Sequence, residues 1–159
     1  MQKPETESGF RGLAFQERMI EVKKTIKRDI DFAIGYAIAA LVIGVLYREL
    51  GKYGLLQMPE TVGRIHGHLL SLGTLFLLLL AALDQLFDFG KEKGADSAFW
   101  IYQAGLVLSA LMMFVRGWVG ILNGPINAAL SGIAGIGHLL LAVGLVWMLF
   151  VLRKAVIRR

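Results

Sequence analysis

Two stretches of this 159-residue chain, residues 32–46 and 69–83, contain no Asp, Glu, Lys or Arg. Each sits in a longer apolar segment close to the about 20 residues that a helix needs to cross a bilayer. Inside a bilayer every backbone N–H and C=O must be satisfied within the protein, which leaves helices or a closed barrel. Composition points the same way: 56% of residues are hydrophobic and 18% charged, against roughly 45–50% and 25% in soluble domains. Mean hydropathy is +0.62. A soluble sphere of this size would lack the polar surface to cover itself, so a soluble enzyme and a disordered chain are both excluded. The chain has no Cys, which removes disulfide scaffolds, thiolate chemistry and Cys-ligated metals.

Charge clusters and turn residues divide the chain into four spanning segments, about 30–50, 62–87, 97–119 and 126–152. The first closes on Arg48, Glu49 and Gly51-Lys52-Tyr53-Gly54. Pro59-Glu60-Thr61 opens the second, and Asp88 to Gly94 closes it. Asp96 or Ser97 suits an N-cap for the third, and Gly120 to Pro125 makes a tight turn before the fourth. Short loops between four helices predict an all-α, integral membrane four-helix up-down bundle. Residues 1–9 read as a disordered polar tail and 153–159 as a basic tail. Between residues 10 and 29, Phe15, Met19, Val22 and Ile26 recur at helical spacing, with Lys23, Lys24, Lys27 and Arg28 elsewhere on the wheel. This predicts an N-terminal amphipathic interfacial helix against anionic lipid headgroups, with docking of a soluble partner as the alternative. Thirteen of the 17 Lys and Arg fall on the side of the termini and four (Arg48, Lys52, Arg64, Arg116) on the other. That asymmetry places both termini in the cytoplasm of a prokaryotic cell membrane. It also accounts for a pI near 9.7 without nucleic-acid binding. No secretory signal is evident, because the first apolar run starts too far in.

Ionisable residues within a span are expensive and so point to function. Asp84 and Asp88 lie close enough to the cytoplasmic end to reach water, Lys91 or Lys93, and read as interface residues. The three histidines do not. His66 and His68 enter the second span, and His138 the fourth, from the same side and to broadly similar depth. His66 and His68 point about 200° apart on a helix, so only one of them can meet His138. Small residues surround them: Gly63, Gly67 and Ser71 on one helix, Ser131, Ala134, Gly135 and Ala142 on the other. Such residues serve either close helix packing or room for a flat macrocycle. Arg48, Arg64 and Arg116 fall at the outer ends of three spans, where arginine suits a carboxylate. His for axial ligation, Arg for propionates and Gly67 and Gly135 beside the ring form a consistent haem b site. Two or three His with Glu49 or Glu60 would instead hold Zn or Cu.

The segments Val45-Leu46-Tyr47-Arg48-Glu49 and His66-Gly67-His68-Leu69-Leu70-Ser71-Leu72-Gly73 resemble an uncharacterised family of small bacterial four-helix membrane proteins. That resemblance covers most of residues 32–152 and implies no activity. More distantly, the second segment is similar to the His-bearing helix of haem-copper oxidase subunit I and of the nitric-oxide-response haem membrane protein. That similarity implies His66 as the preferred haem ligand, with His138 from the far helix and His68 as the lesser choice. Four helices and no His cluster for copper depart from the oxidases, so oxygen reduction by this chain alone is not implied. The expectation is a b-type haem protein for electron transfer, haem sensing or haem handling, with a possible redox partner. A cofactor-free protein that forms a homodimer or larger assembly through its small-residue faces is the alternative, and a metal-ion-binding transporter subunit the third.

Overall fold

The computed structural model describes residues 5–54, 59–125 and 127–158, with side chains from residue 16 onward apart from 18, 19 and 21. Among them all regular structure is helical, and four helices are long and apolar enough to cross a membrane. Helix α1 is Glu5–Lys52. Helix α2 is Glu60–Phe87, with a π-helical segment at Leu69–Leu75 inside it. A 3-10 turn at Phe89–Lys91 leads to α3, Ala95–Ile121, and α4 is Ala128–Arg158.

Helix α1 differs from the expected arrangement. Its 48 residues make a rod of about 72 Å, against a hydrocarbon thickness of about 30 Å. No Gly or Pro lies between Gly12 and Gly35, so the basic segment joins the first span without a helix-breaking residue. It continues the first span as one unbroken helix. The helix already begins at Glu5, within the stretch read as a tail; residues 1–4 lie outside the described residues, as do the side chains of Phe15 and Met19. Val22 is buried and Thr25 bonds to α2, so this end of α1 packs on the bundle. The C-terminal residues 153–158, also read as a tail, extend α4.

Local chemistry sets the helix ends. Asp88 (φ 53°) takes the left-handed conformation that stops α2. Gly94 (φ 95°) precedes α3, so Asp96 and Ser97 fall within the first turn and do not cap it. Asn127 accepts the Leu130 amide through its side chain at 2.9 Å and caps α4.

The helices pack antiparallel in sequence order. Gly63 and Gly73 of α2 face Tyr47 and Tyr36 of α1. The α3–α4 seam is tighter, because Gly105 faces the Leu141 backbone, Gly144 the Tyr102 backbone and Gly137 Ser109. Absence of a side chain at these positions lets two backbones approach closely, as small residues do in membrane helices. Leu77, Phe99, Tyr102 and Leu106 form the centre of the core. Helix α4 rests on α3; among the described residues its backbone comes close to that of α2 only toward the end bearing the chain termini, and the backbones of α1 and α4 do not approach each other. Ile34, Ile38, Leu41 and Val45 on α1 and Leu139, Val146 and Phe150 on α4 are therefore exposed, as suits helices in contact with lipid.

Candidate functional site

Helices α2 and α4 start from the same end of the bundle and run in the same direction, opposite to the termini. His68 lies eight residues into α2 and His138 ten into α4, depths of about 12 and 15 Å. Their rings face each other with centroids 6.5 Å apart and planes at 84°. The Nδ1 of His68 donates to the Arg64 carbonyl at 3.0 Å, and Nδ1 of His138 to the Ala134 carbonyl at 2.9 Å. A carbonyl only accepts, so in each of these bonds Nδ1 is the donor, which leaves Nε2 as the nitrogen for a metal in the neutral ring. A carbonyl behind the imidazole is also the support that metal-bound histidines use to fix ring and tautomer.

His66 is turned away. Its ring lies against Gly44 of α1, where a Cβ would come within 3.6 Å of it, and its Nδ1 is buried without a hydrogen-bond partner. The structure therefore pairs His138 with His68 and not with the residue favoured from the oxidase likeness. The 200° divergence of the two side chains made one of these outcomes necessary; helix packing chose between them.

Glycines in this region fall into two groups. Gly63 is packed against Tyr47, whereas a Cβ at Gly67, Gly132 or Gly135 would meet nothing within 4 Å. The space beside the histidine pair is thus open, and Ser71, whose hydroxyl donates to the Gly67 carbonyl at 2.6 Å, borders it. Of the arginines, Arg64 lies one turn above His68 on its face, with Glu60 at 3.2 Å. Arg116 is half-buried beside Gly117, which packs on Val62, and has no acidic partner among the described residues. Arg48 lies on α1, which does not reach α4, and its neighbour is Glu49 at 3.8 Å. Among the described residues no three of His, Asp or Glu converge, so Glu49 and Glu60 do not complete a metal site with the histidines.

The family profile that matches residues 26–155 describes proteins of unknown function, DUF2871. This chain belongs to the DUF2871 family. The match takes in all four spans and both histidine-bearing helices, in line with the small membrane-protein family expected from the Tyr47-Arg48-Glu49 and His66-Gly67-His68 segments. No curated protein and no solved structure matches the chain, so nothing is added to the likeness of α2 to haem-copper oxidase subunit I.

Sequence reasoning missed two polar features. One is the π-helical segment directly after His68, whose cue was the small and polar run Ser71-Leu72-Gly73-Thr74 in an otherwise apolar span. The other is the charge cluster at the opposite end. Asp84, expected to reach water, is fully buried: the Thr25 hydroxyl donates to it at 2.5 Å and the Gly90 amide at 2.6 Å. Asp88 does meet Lys91, at 3.0 Å. Arg28 pairs with buried Asp29 and with Asp96 and lies 3.7 Å over the Phe99 ring. Buried Glu92 takes Lys154 at 3.1 Å and Arg158 at 2.5 Å. Asp84, Asp96 and Glu92 draw partners from another helix or from the loop, whereas Asp29 is paired by its neighbour Arg28 on the same helix; a low-dielectric end of a bundle keeps its charges paired.

Proposed function

We propose that this chain is a membrane b-type haem protein whose iron is held by His68 and His138. The observation that carries this is the facing pair, with both Nδ1 atoms committed to backbone carbonyls and both Nε2 atoms outside those bonds. With centroids 6.5 Å apart, the two rings are close enough that one haem iron could take a nitrogen from each. Gly67, Gly132 and Gly135 leave the neighbouring space free of side chains, as a flat macrocycle requires. Arg64 is placed to exchange Glu60 for a propionate, and Arg116 brings a second positive charge to the same layer. Haem with two axial histidines has no open position for a substrate and supplies one-electron transfer when bound.

In this proposal the roles of the chain's own residues are limited. His68 and His138 would ligate, and Arg64 and Ala134 would fix their ring orientation through backbone carbonyls. The termini are taken to face the cytoplasm, from the distribution of Lys and Arg, so the pair lies in the outer half of the membrane. Full-length protein purified in mild detergent and supplied with haem should show a Soret band and split α and β bands on reduction. His68→Ala and His138→Ala should each abolish this spectrum and His66→Ala should retain it. A protein that stays colourless, or one that keeps its spectrum without His68, overturns the proposal.

A second reading rests on the same open glycines. Gly67 and Gly135 pack on no helix among the described residues, which leaves their faces open to a second copy. Gly135→Leu would then shift the oligomer size in detergent, whereas a haem site alone would leave that size unchanged.

A further inference from the structure

The buried stripe of α2 runs Val62, Ile65, Leu69, Gly73, Leu77, Leu80 and Asp84. From Ile65 to Leu77 it advances in three successive steps of four. In a regular α-helix each such step overshoots the face by about 40°, so three of them turn it about 120° out of register. The π-helical segment Leu69–Leu75 absorbs this drift, because each of its hydrogen-bonded turns takes one residue more than an α-helical turn. The Phe76 amide accordingly reaches back five residues to the Ser71 carbonyl.

Side chains from α1 and α3 attend this segment. The Tyr102 hydroxyl donates to the Leu72 carbonyl at 2.8 Å. Thr74 lies with its hydroxyl 3.2 Å from the Leu69 carbonyl and 3.3 Å from the Ala33 carbonyl. Gly73 lets Tyr36 lie flat on the segment, since a Cβ there would be 2.6 Å from the Tyr36 Cγ. The extra residue in the π turns moves everything above it one place along the helix, relative to the half anchored by Leu77, Leu80 and Asp84.

We infer that Tyr102 and Thr74 are positioning residues for the two-histidine site: by holding the π-helical segment they aim His68 at His138. Were α2 a regular α-helix of the same sequence, Leu69 would stand where His68 stands and the histidine would be turned about 100° away. The consequence for ligand binding rests on the function proposed above, but the aim itself is a property of the chain and is read without haem.

The natural chain has no Cys, so engineered cysteines report without background. In membranes, the pair at positions 68 and 138 should join through a short bifunctional thiol reagent, and the pair at 69 and 138 should not. With Tyr102→Phe and Thr74→Val together, rotation by about 100° should slow the first reaction at least about tenfold and speed the second. Removing residue 74 from the Tyr102→Phe chain should restore the 68–138 reaction. That deletion gives a regular helix one residue shorter, in which the Leu72 carbonyl finds an amide and position 68 returns to its place. Restoration is not a result that mere unfolding produces. An unchanged 68–138 rate in the double variant, or no restoration by the deletion, overturns the inference. A colourless wild-type protein that still gives this cross-linking pattern overturns only the haem proposal.

Discussion

Replacing Gly144 by Ala tests how α4 is held, because α3 supplies nearly all of its support. A Cβ at Gly144 would lie 2.5 Å from the Tyr102 nitrogen and 2.6 Å from its Cα. Ordinary contact needs about 1 Å more, and the opposing atoms are backbone, so no rotamer change relieves the clash. Helix α4 must withdraw by that amount at the middle of the seam. A gap of 0.5–1 Å forfeits about a quarter to a half of each dispersion contact, and the loss falls on Leu141, Met148 and the Tyr102 ring. Overpacking of this kind costs roughly 1–3 kcal/mol, sometimes more; with backbone on both sides we expect about 3 kcal/mol. Gly35→Ala is the matched control, since a Cβ there meets nothing within 4 Å. That variant should gain about 0.5–1 kcal/mol from helix propensity alone. The assay is reversible denaturation in mixed micelles followed by tryptophan fluorescence, because the Trp147 ring lies beside Gly94 at the α2–α3 loop and reports α4 leaving its place. Equal midpoints for Gly144→Ala and the natural chain, or a larger loss for Gly35→Ala, would refute the close α3–α4 approach.

Other predictions concern the charged end. Arg28→Ala leaves Asp29 buried beside Asp84 without its cation and should destabilise by about 3–5 kcal/mol; Arg28→Ala with Asp29→Ala should be milder than the single change, and additive losses in the cycle would count against the pairing. Asp84→Ala strands the Gly90 amide and removes one of the acceptors of the Thr25 hydroxyl, which keeps the Val22 carbonyl at 3.0 Å, and should lose about 2 kcal/mol, measured by the same micelle titration. Glu92→Gln loosens its ion pairs with Lys154 and Arg158, so trypsin should cut the end of α4 faster; unchanged cleavage would show that Glu92 does not anchor it.

Much of the architecture was legible because bilayer physics leaves few options. The charge-free runs, the turn residues after Arg48, Phe87 and Ile121, and the short loops define four helices in up-down order, and the structure has them. The boundary between the basic segment and the first span was not legible: amphipathic spacing suits a separate helix and a continuous one equally, and the structure makes α1 one helix from Glu5 to Lys52, with Val22 and Thr25 packed on the bundle. Asp84 was misjudged for a related reason: sequence gives its distance from a helix end but not the Thr25 and Gly90 donors that another helix and a loop bring to it.

The candidate site shows the same division. Sequence alone determined that three histidines enter the membrane from one side, that His66 and His68 cannot share a partner, and that glycines crowd around them. These follow from helix periodicity and from the cost of polar groups in lipid. Which histidine meets His138 was decided by tertiary structure, through three successive four-residue steps in the core stripe of α2 and the π-helical turns that accommodate them. Which glycines pack and which stay open was also decided there, because a glycine's role depends on the atoms opposite it, and those belong to other helices. Periodicity fixes a residue's angle on its own helix; only the assembled bundle fixes what that angle faces.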